Sequence, residues 1–240
     1  MNVIILEECD FFAPGRAFVT GPRAEHAAKV LKKQPGDVCR VGVLGGSLCP
    51  ATVVNYRDGG VELAVNASGE NAVPPPEPLP IVLAAALPRP KTFRKLLLCA
   101  GTSGIKEIHF FGAFKVEKSY WQSPFLEPDY LRGLMLEALA QAVDTMPWRV
   151  TFHRFFKPFA EDVLPGLAAG KRLLVCHPAA ESVAASSLRG VPAVACLGPE
   201  GGFTDYEAGL LTSLGGELIS LGPRILRTEY ALPYLLGRLF

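Results

Sequence analysis

The chain has 240 residues, 49% of them hydrophobic, and a formal net charge of +1 at neutral pH. This length indicates one large domain or two smaller ones, and the apolar content is ample for a packed core, which excludes disorder for most of the chain. The near-neutral charge excludes a globally basic nucleic-acid binder, although a local basic patch remains open.

Cysteine usage and the N-terminus predict a cytoplasmic protein. The six cysteines form no Cys-x-x-Cys pair, and no apolar run approaches the ~20 residues that cross a bilayer. Glu7, Glu8 and Asp10 arrive early, where a secretion signal would be basic and then apolar. Scattered cysteines without such a signal are typical of reduced thiols. The four histidines are far apart and form no metal-binding motif, so no metal is predicted.

The first 70 residues predict mainly β structure. A short helix is expected around residues 24–33. Glycine-rich turns separate three apolar runs that are typical of strands, at 38–44, 51–56 and 61–65. A small barrel or curled sheet is therefore predicted for residues 1–70.

Residues 66–80 interrupt this pattern. Proline, glycine and polar residues dominate the segment, and three consecutive prolines exclude a helix or a central strand. We interpret residues 71–80 as a linker before a second domain of residues 81–240.

After the linker, strands and helices alternate. Apolar runs predict strands at 81–87, 107–111, 150–155, 172–176, 193–197 and 217–221. Helical patterns lie between and after them, at 91–103, 127–143, 204–214 and 226–240. Because such alternation favours a parallel sheet covered on both faces, the second domain is predicted to be a mostly parallel α/β domain.

Two glycine-bearing segments follow the last two predicted strands. The first reads LGPEGG at 197–202, and the second reads LGPRILRTE at 221–229. Either alone could be a tight turn. Neither is GxGxxG or a P-loop, which excludes the usual dinucleotide and triphosphate motifs. Since ligands bind beyond the carboxyl ends of parallel strands, two such loops predict one pocket built largely from backbone.

Together the two motifs resemble the signature of the SPOUT-class methyltransferases that methylate N3 of a uridine in 16S ribosomal RNA. The resemblance extends over most of the chain. Residues 26–31 and 35–37 are similar to that family's PUA-like N-terminal domain, residues 88–95 to its basic helix start, and residues 137–141 to its Glu-Ala-x-x-Gln helix.

The resemblance implies a C-terminal trefoil knot, S-adenosylmethionine as cofactor, ribosomal RNA of the small subunit as substrate, and a homodimer with the active site at its interface. No membrane is implied. Carried onto this sequence, the cofactor-binding residues are Leu197, Gly198, Pro199, Gly201, Gly202, Leu221, Gly222, Arg224, Ile225 and Leu226.

Catalytic and RNA-binding candidates lie beside these loops. Arg227, Glu200 and Glu229 are the catalytic candidates, with a loop anchor as the alternative for Glu200 and a solvated helix start as the alternative for the others. The RNA-binding candidates are the basic residues Arg89, Lys91, Arg94 and Lys95, which a solvated surface would also explain. Phe93 between them either stacks on a base or is buried in the core.

The chain departs from the family pattern at four places: residues 101–105, Asp144 after the Glu-Ala-x-x-Gln helix, residues 113–119, and residues 1–9. These segments are expected to face RNA rather than the cofactor. The departures keep open the methylation of another RNA site. Two further alternatives are an RNA-binding protein without catalysis and an unrelated nucleotide-binding α/β protein.

Overall fold

A computed structural model describes residues 2–66, 71–180 and 189–240. The chain divides into two compact units. The first contains the residues up to 77 together with 135–147, and the second contains 78–134 and 148–240. Residues 67–70, in the segment rich in proline and glycine, lie outside the described residues, and the linker at 71–80 stays a prediction.

The first unit is built on a curled six-stranded sheet, as predicted. Its strand order is β1-β4-β5-β6-β3-β2, in which β1 and β4 are parallel and the other pairs antiparallel. The strands are β1 Ile4–Leu6, β2 Phe11–Ala13, β3 Arg16–Val19, β4 Val38–Val43, β5 Leu48–Arg57 and β6 Gly60–Val65. The predicted short helix is α1, Pro22–Glu25, which continues as a π-helical turn over His26–Val30.

Residues 135–147 complete the core of this unit. Leu139 and Ala140 pack with Val3, Ile5 and Leu48 in one buried cluster. The Asp144 carboxylate accepts a hydrogen bond from the backbone N–H of Met146, at 2.9 Å, and Asp144 is only 4% exposed. This departure from the family pattern is therefore part of the packing of the first unit.

The second unit contains a six-stranded sheet that is parallel throughout, which confirms the α/β prediction. Its order is β12-β10-β11-β7-β8-β9. The strands are β7 Ile81–Ala86, β8 Glu107–Phe111, β9 Arg149–His153, β10 Arg172–Cys176, β11 Ala193–Leu197 and β12 Glu217–Ile219. The helices numbered after α1 are α2 Pro90–Thr102, α3 Pro128–Ala142, α4 Phe156–Pro158, α5 Leu164–Ala168, α6 Asp205–Ser213 and α7 Thr228–Leu239.

The strand order brings the two glycine motifs together. Every residue of β7 and β11 is buried, as expected for central strands covered on both faces. β10 lies between β11 and β12, so the loops that follow these three strands leave the sheet at the same edge, beside the loop after β7.

Gly101 explains another departure from the family pattern. It lies in α2, where an added Cβ would overlap the indole ring of Trp148. Trp148 is 8% exposed and precedes β9. The small residue therefore allows the tryptophan ring to pack directly on the helix backbone.

We expect Gly101→Ala to destabilise the protein by about 1–3 kcal/mol, because the added methyl group overpacks against a buried ring. Urea unfolding would measure the change. Gly133→Ala is the matched control, since Gly133 is also helical but a Cβ there meets open space. It should stabilise the protein by roughly 0.5–1 kcal/mol. Equal stability of the two variants would contradict this account of Gly101.

Candidate active site

A pocket of about 430 Å³ lies at the carboxyl edge of the parallel sheet. Its size falls within the range of small-molecule sites. It is lined by residues from both glycine motifs: Leu197, Gly198, Pro199, Glu200, Gly202, Leu221, Gly222, Arg224, Ile225, Leu226, Arg227 and Glu229. Gly201 belongs to the first loop but does not line the pocket.

The end of β10 and the residues after it contribute lining residues that the glycine motifs did not predict. Cys176, His177 and Pro178 line the pocket between the two glycine loops. The His177 backbone N–H donates to the carbonyl of Ile219 at 3.0 Å, which ties this segment to the end of β12. The sequence carried no direct signal for these residues, because only the strand order places β10 between β11 and β12.

The first glycine loop turns tightly and leaves open space beside it. The Gly202 N–H donates to the Pro199 carbonyl at 2.8 Å, and Gly202 has φ +71°, which a side chain would strain. Among the described residues other than its chain neighbours, none has an atom within 4 Å of a Cβ built at Gly202, whereas a Cβ at Gly198 would press on the Phe203 ring at 3.2 Å. The loop is thus packed on one side and open on the other.

Neighbouring segments hold this loop in place. Lys115 Nζ donates to the Gly201 carbonyl at 2.7 Å. The Glu200 carboxylate accepts from the Arg89 N–H at 3.0 Å, at the N-terminus of α2, where the helix dipole favours a negative charge. This contact supports the anchoring alternative for Glu200.

The second glycine loop forms the opposite wall. Gly222 has φ +130°, and its N–H donates to Ser220 Oγ at 3.2 Å. Ile225 is 85% exposed, and both Arg224 and Arg227 are exposed. The loop therefore presents cations and an apolar side chain at the pocket rim.

Arg227 precedes the first residue of α7. Its carbonyl accepts hydrogen bonds from the N–H groups of Tyr230 and Ala231, at 2.9 and 3.0 Å. Its side chain makes no capping hydrogen bond. The backbone of Arg227 therefore starts the helix, while its guanidinium remains available to the pocket.

The predicted RNA-binding cations separate into two groups. Arg89 lines the pocket, whereas Lys91, Arg94 and Lys95 do not. Lys95 Nζ lies 3.5 Å from a carboxylate oxygen of Glu229, whose side chain is 7% exposed. This ion pair joins α2 to α7 and supports a structural role for Glu229.

Phe93 belongs to the core. It is 1% exposed and packs on Phe110, with ring centroids 4.8 Å apart. The core interpretation is confirmed, and stacking of Phe93 on a base is excluded by its burial.

The thiol in the pocket is inert. Burial raises the pKa of Cys176 to about 12, so this group is neutral at physiological pH. A neutral thiol is a poor nucleophile.

Among the described residues, no group of three or more His, Cys, Asp or Glu side chains could hold a metal ion, and no helix is long and apolar enough to cross a membrane.

A histidine pair lies outside the pocket, on β8 and β9. His109 Nδ1 and His153 Nε2 are 2.9 Å apart, and His109 Nε2 lies 3.3 Å from a Glu107 carboxylate oxygen. Burial lowers the pKa of both imidazoles; for His109 the Glu107 carboxylate opposes this shift. Two protonated rings could not share the hydrogen bond between them.

The histidine pair predicts a loss of stability in acid. Both pKa values are lower in the folded protein, so the unfolded chain binds more protons as pH falls through its own value of ~6.5. The contribution is complete above that pH and declines below it. We expect urea unfolding between pH ~7 and ~5 to show this decline, and a variant with both histidines changed to glutamine to show a flatter profile. Identical profiles would contradict the assignment.

Similarity to known proteins shows the class of protein to which this chain belongs. A family model described as the RNA methyltransferase domain matches residues 75–239. This match covers more than half of the chain, and the protein therefore belongs to that family of RNA methyltransferases.

Individual relatives and structures are more distant. The chain is 24% identical to the ribosomal RNA small subunit methyltransferase E of Treponema pallidum over 236 residues, covering 96% of this chain and 87% of that protein. It is 27% identical to the protein of the same name from Mycobacterium bovis over 227 residues, covering 92% and 84% of the two chains.

Two solved structures share the fold. A Legionella pneumophila methyltransferase in complex with S-adenosylmethionine superposes with a TM-score of 0.76 at 21% identity, over 100% of this chain and 97% of that one. The ribosomal RNA small subunit methyltransferase E of Neisseria gonorrhoeae, bound to S-adenosylmethionine, gives 0.72 at 15% identity, over 98% and 95%.

Proposed function

We propose that this protein uses S-adenosylmethionine to methylate N3 of a uridine in 16S ribosomal RNA of the small subunit. One observation carries the proposal: in a member of an RNA methyltransferase family, both glycine motifs meet in one pocket at the carboxyl edge of the sheet. The names of the relatives and the cofactor in the two related structures support the same reading.

The pocket residues fit this cofactor. The pocket has the volume of a small-molecule site, and its open side at Gly202 lets a ligand approach the main chain closely. The loops at 197–202 and 221–226 would hold it. When bound, S-adenosylmethionine supplies an electrophilic methyl group on a sulfonium.

The protein's own contribution is mainly positioning. Orienting two reactants in one pocket can supply up to ~7–11 kcal/mol of a barrier. The uracil N3 also bears a proton that must leave. The carboxylates of Glu200 and Glu229 are engaged, by the Arg89 N–H and by Lys95. We therefore assign Arg227 to stabilise the negative charge that develops on a uracil carbonyl oxygen as this proton departs to solvent.

A second copy of the chain would complete the site. Ile225 at the pocket rim is 85% exposed, and Tyr230 and Tyr234, one turn apart on α7, are 55% and 46% exposed. An exposed apolar surface of this kind is typical of an interface. A homodimer that covers it would bring the partner's residues beside the pocket.

The proposal also includes a C-terminal trefoil knot, a PUA-like N-terminal domain and a cytoplasmic location. The Gly190 N–H donates to the Leu239 carbonyl at 2.8 Å, so the chain that precedes β11 lies beside the end of α7. This proximity supports the proposed C-terminal trefoil knot. The curled sheet of the first unit supports a PUA-like RNA-binding domain. The RNA substrate supports a cytoplasmic location.

The decisive experiment is mass spectrometry of nucleosides from small-subunit ribosomal RNA, comparing a strain without this gene with its parent. We expect N3-methyluridine to disappear and to return when purified protein and S-adenosylmethionine are added. If it persists while another methylated nucleoside is lost, the enzyme acts on another RNA. If calorimetry detects no cofactor binding, the chain is an RNA-binding protein without catalysis.

Arg227→Ala should lower turnover at least about tenfold, because it removes a charged donor that acts in the transition state. Cofactor affinity should remain nearly unchanged, since the glycine loops are intact and the side chain does not cap α7. Methyl transfer assays and calorimetry would measure the two effects. Arg227→Lys keeps the charge and should recover part of the rate. Equal turnover of the alanine variant and the parent would refute this role.

A further inference from the structure

The segment after β8 projects a phenylalanine into solvent beside the pocket. Phe114 is 83% exposed, and it lies immediately before the lysine that holds the first glycine loop. Exposed aromatic side chains next to a binding site are typical of contact surfaces rather than of folding cores. Residues 113–119 are expected from the sequence to face RNA, and the structure adds that this segment carries an exposed aromatic ring.

The backbone that carries Phe114 is fixed. Its N–H donates to a carboxylate oxygen of Glu207 at 2.8 Å, and Glu207 is 2% exposed. The other oxygen of the same carboxylate accepts from the N–H of Thr204, at 2.8 Å, in the capping box of α6. With Lys115 bound to the Gly201 carbonyl, the segment is anchored on both sides of the ring. A ring on a preorganised segment loses little entropy when it binds.

The end of β9 extends this surface. The Gly112 N–H donates to the His153 carbonyl at 2.9 Å, so the segments that follow β8 and β9 start side by side. The Arg154 guanidinium lies 5.2 Å above the Trp121 ring. Phe155, the next residue, is 68% exposed. A second exposed ring thus follows an arginine on the neighbouring segment.

The surface keeps its positive charge. Lys115 contacts a carbonyl oxygen and Arg154 contacts an aromatic ring, and both of these partners are neutral. Lys118 adds a third exposed cation, and Glu117 is the one exposed carboxylate of residues 113–119. In contrast, Lys95 on α2 is paired with Glu229. The two segments that carry the exposed rings therefore also carry three exposed cations against one exposed carboxylate.

Exposed rings among available cations match the chemistry of unpaired nucleotides, because every base has a face that can stack and every linkage carries a negative charge. We propose that Phe114, with Lys118 and Arg154, forms a stacking platform for an unpaired RNA base next to the methylated nucleotide. This proposal rests on the proposed function. The platform is placed near the pocket by Lys115, which follows Phe114 and binds the first glycine loop. The platform holds the flanking strand while the target base enters the pocket.

Two substitutions at Phe114 separate stacking from apolar contact. Phe114→Leu keeps an apolar side chain without a π-face, whereas Phe114→Trp keeps the π-face. With fluorescein-labelled single-stranded oligouridylate as the probe, we expect fluorescence anisotropy to show roughly five- to hundredfold weaker binding for the leucine variant. The tryptophan variant should bind as the parent does, and its emission should be quenched by the RNA. Urea unfolding of both variants verifies that they are folded.

Charge is tested separately. Lys118→Ala should weaken binding and reduce the slope of log affinity against log salt by about 0.7, the value for one phosphate contact on a single strand. An unchanged slope would remove Lys118 from the platform.

Other outcomes overturn the platform as a whole. One is equal RNA affinity of the leucine variant and the parent, and another is a parent that does not bind oligouridylate. A third is a leucine variant whose sedimentation changes while its RNA binding does not, which would make Phe114 a contact between copies of the chain. Calorimetry with S-adenosylmethionine should be unaffected by either substitution. If RNA binding depends on the ring but the parent methylates no RNA, the platform stands and the proposed methyl transfer fails.

Discussion

The pocket depends on one topological constraint, the position of β10 between β11 and β12 in a parallel sheet. Parallel strands end at the same edge, so the loops after these three strands must converge there. Neither glycine loop could form a site alone, since each supplies a single wall. The chain places its conformationally permissive residues, Gly202 and Gly222, at the two positive-φ positions where these walls face the open space.

A single buried carboxylate connects the pocket loop to the surface outside it. Glu207 caps α6, which starts just after the first glycine loop, and also binds the backbone before Lys115. Lys115 in turn holds the Gly201 carbonyl. Because a buried carboxylate without its donors would be costly, these contacts are expected to form together. The geometry of the first glycine loop and that of the segment carrying Phe114 are thereby set by the same hydrogen bonds.

The ionisable residues that line the pocket differ in the contacts that they make. Glu200 and Glu229 both line the pocket, but one anchors a loop to the start of α2 and the other binds Lys95 across two helices. Cys176 is held neutral by burial. The groups that the proposed function would use are the main chain of the glycine loops and the guanidinium of Arg227, since its main task would be to align an already activated donor.

The sequence by itself determined the strands and both glycine motifs, because continuous apolar runs and glycine turns are local signals; β8, β10 and β11 occupy the predicted residues. The predicted helical pattern at 204–214 also begins at Thr204, whose side chain caps α6. Only the tertiary structure decided that residues 135–147 pack into the first unit, that residues 176–178 line the pocket, and that Gly101 makes room for Trp148. These features depend on residues far apart in the chain, and no local pattern of polarity encodes which distant segments will meet.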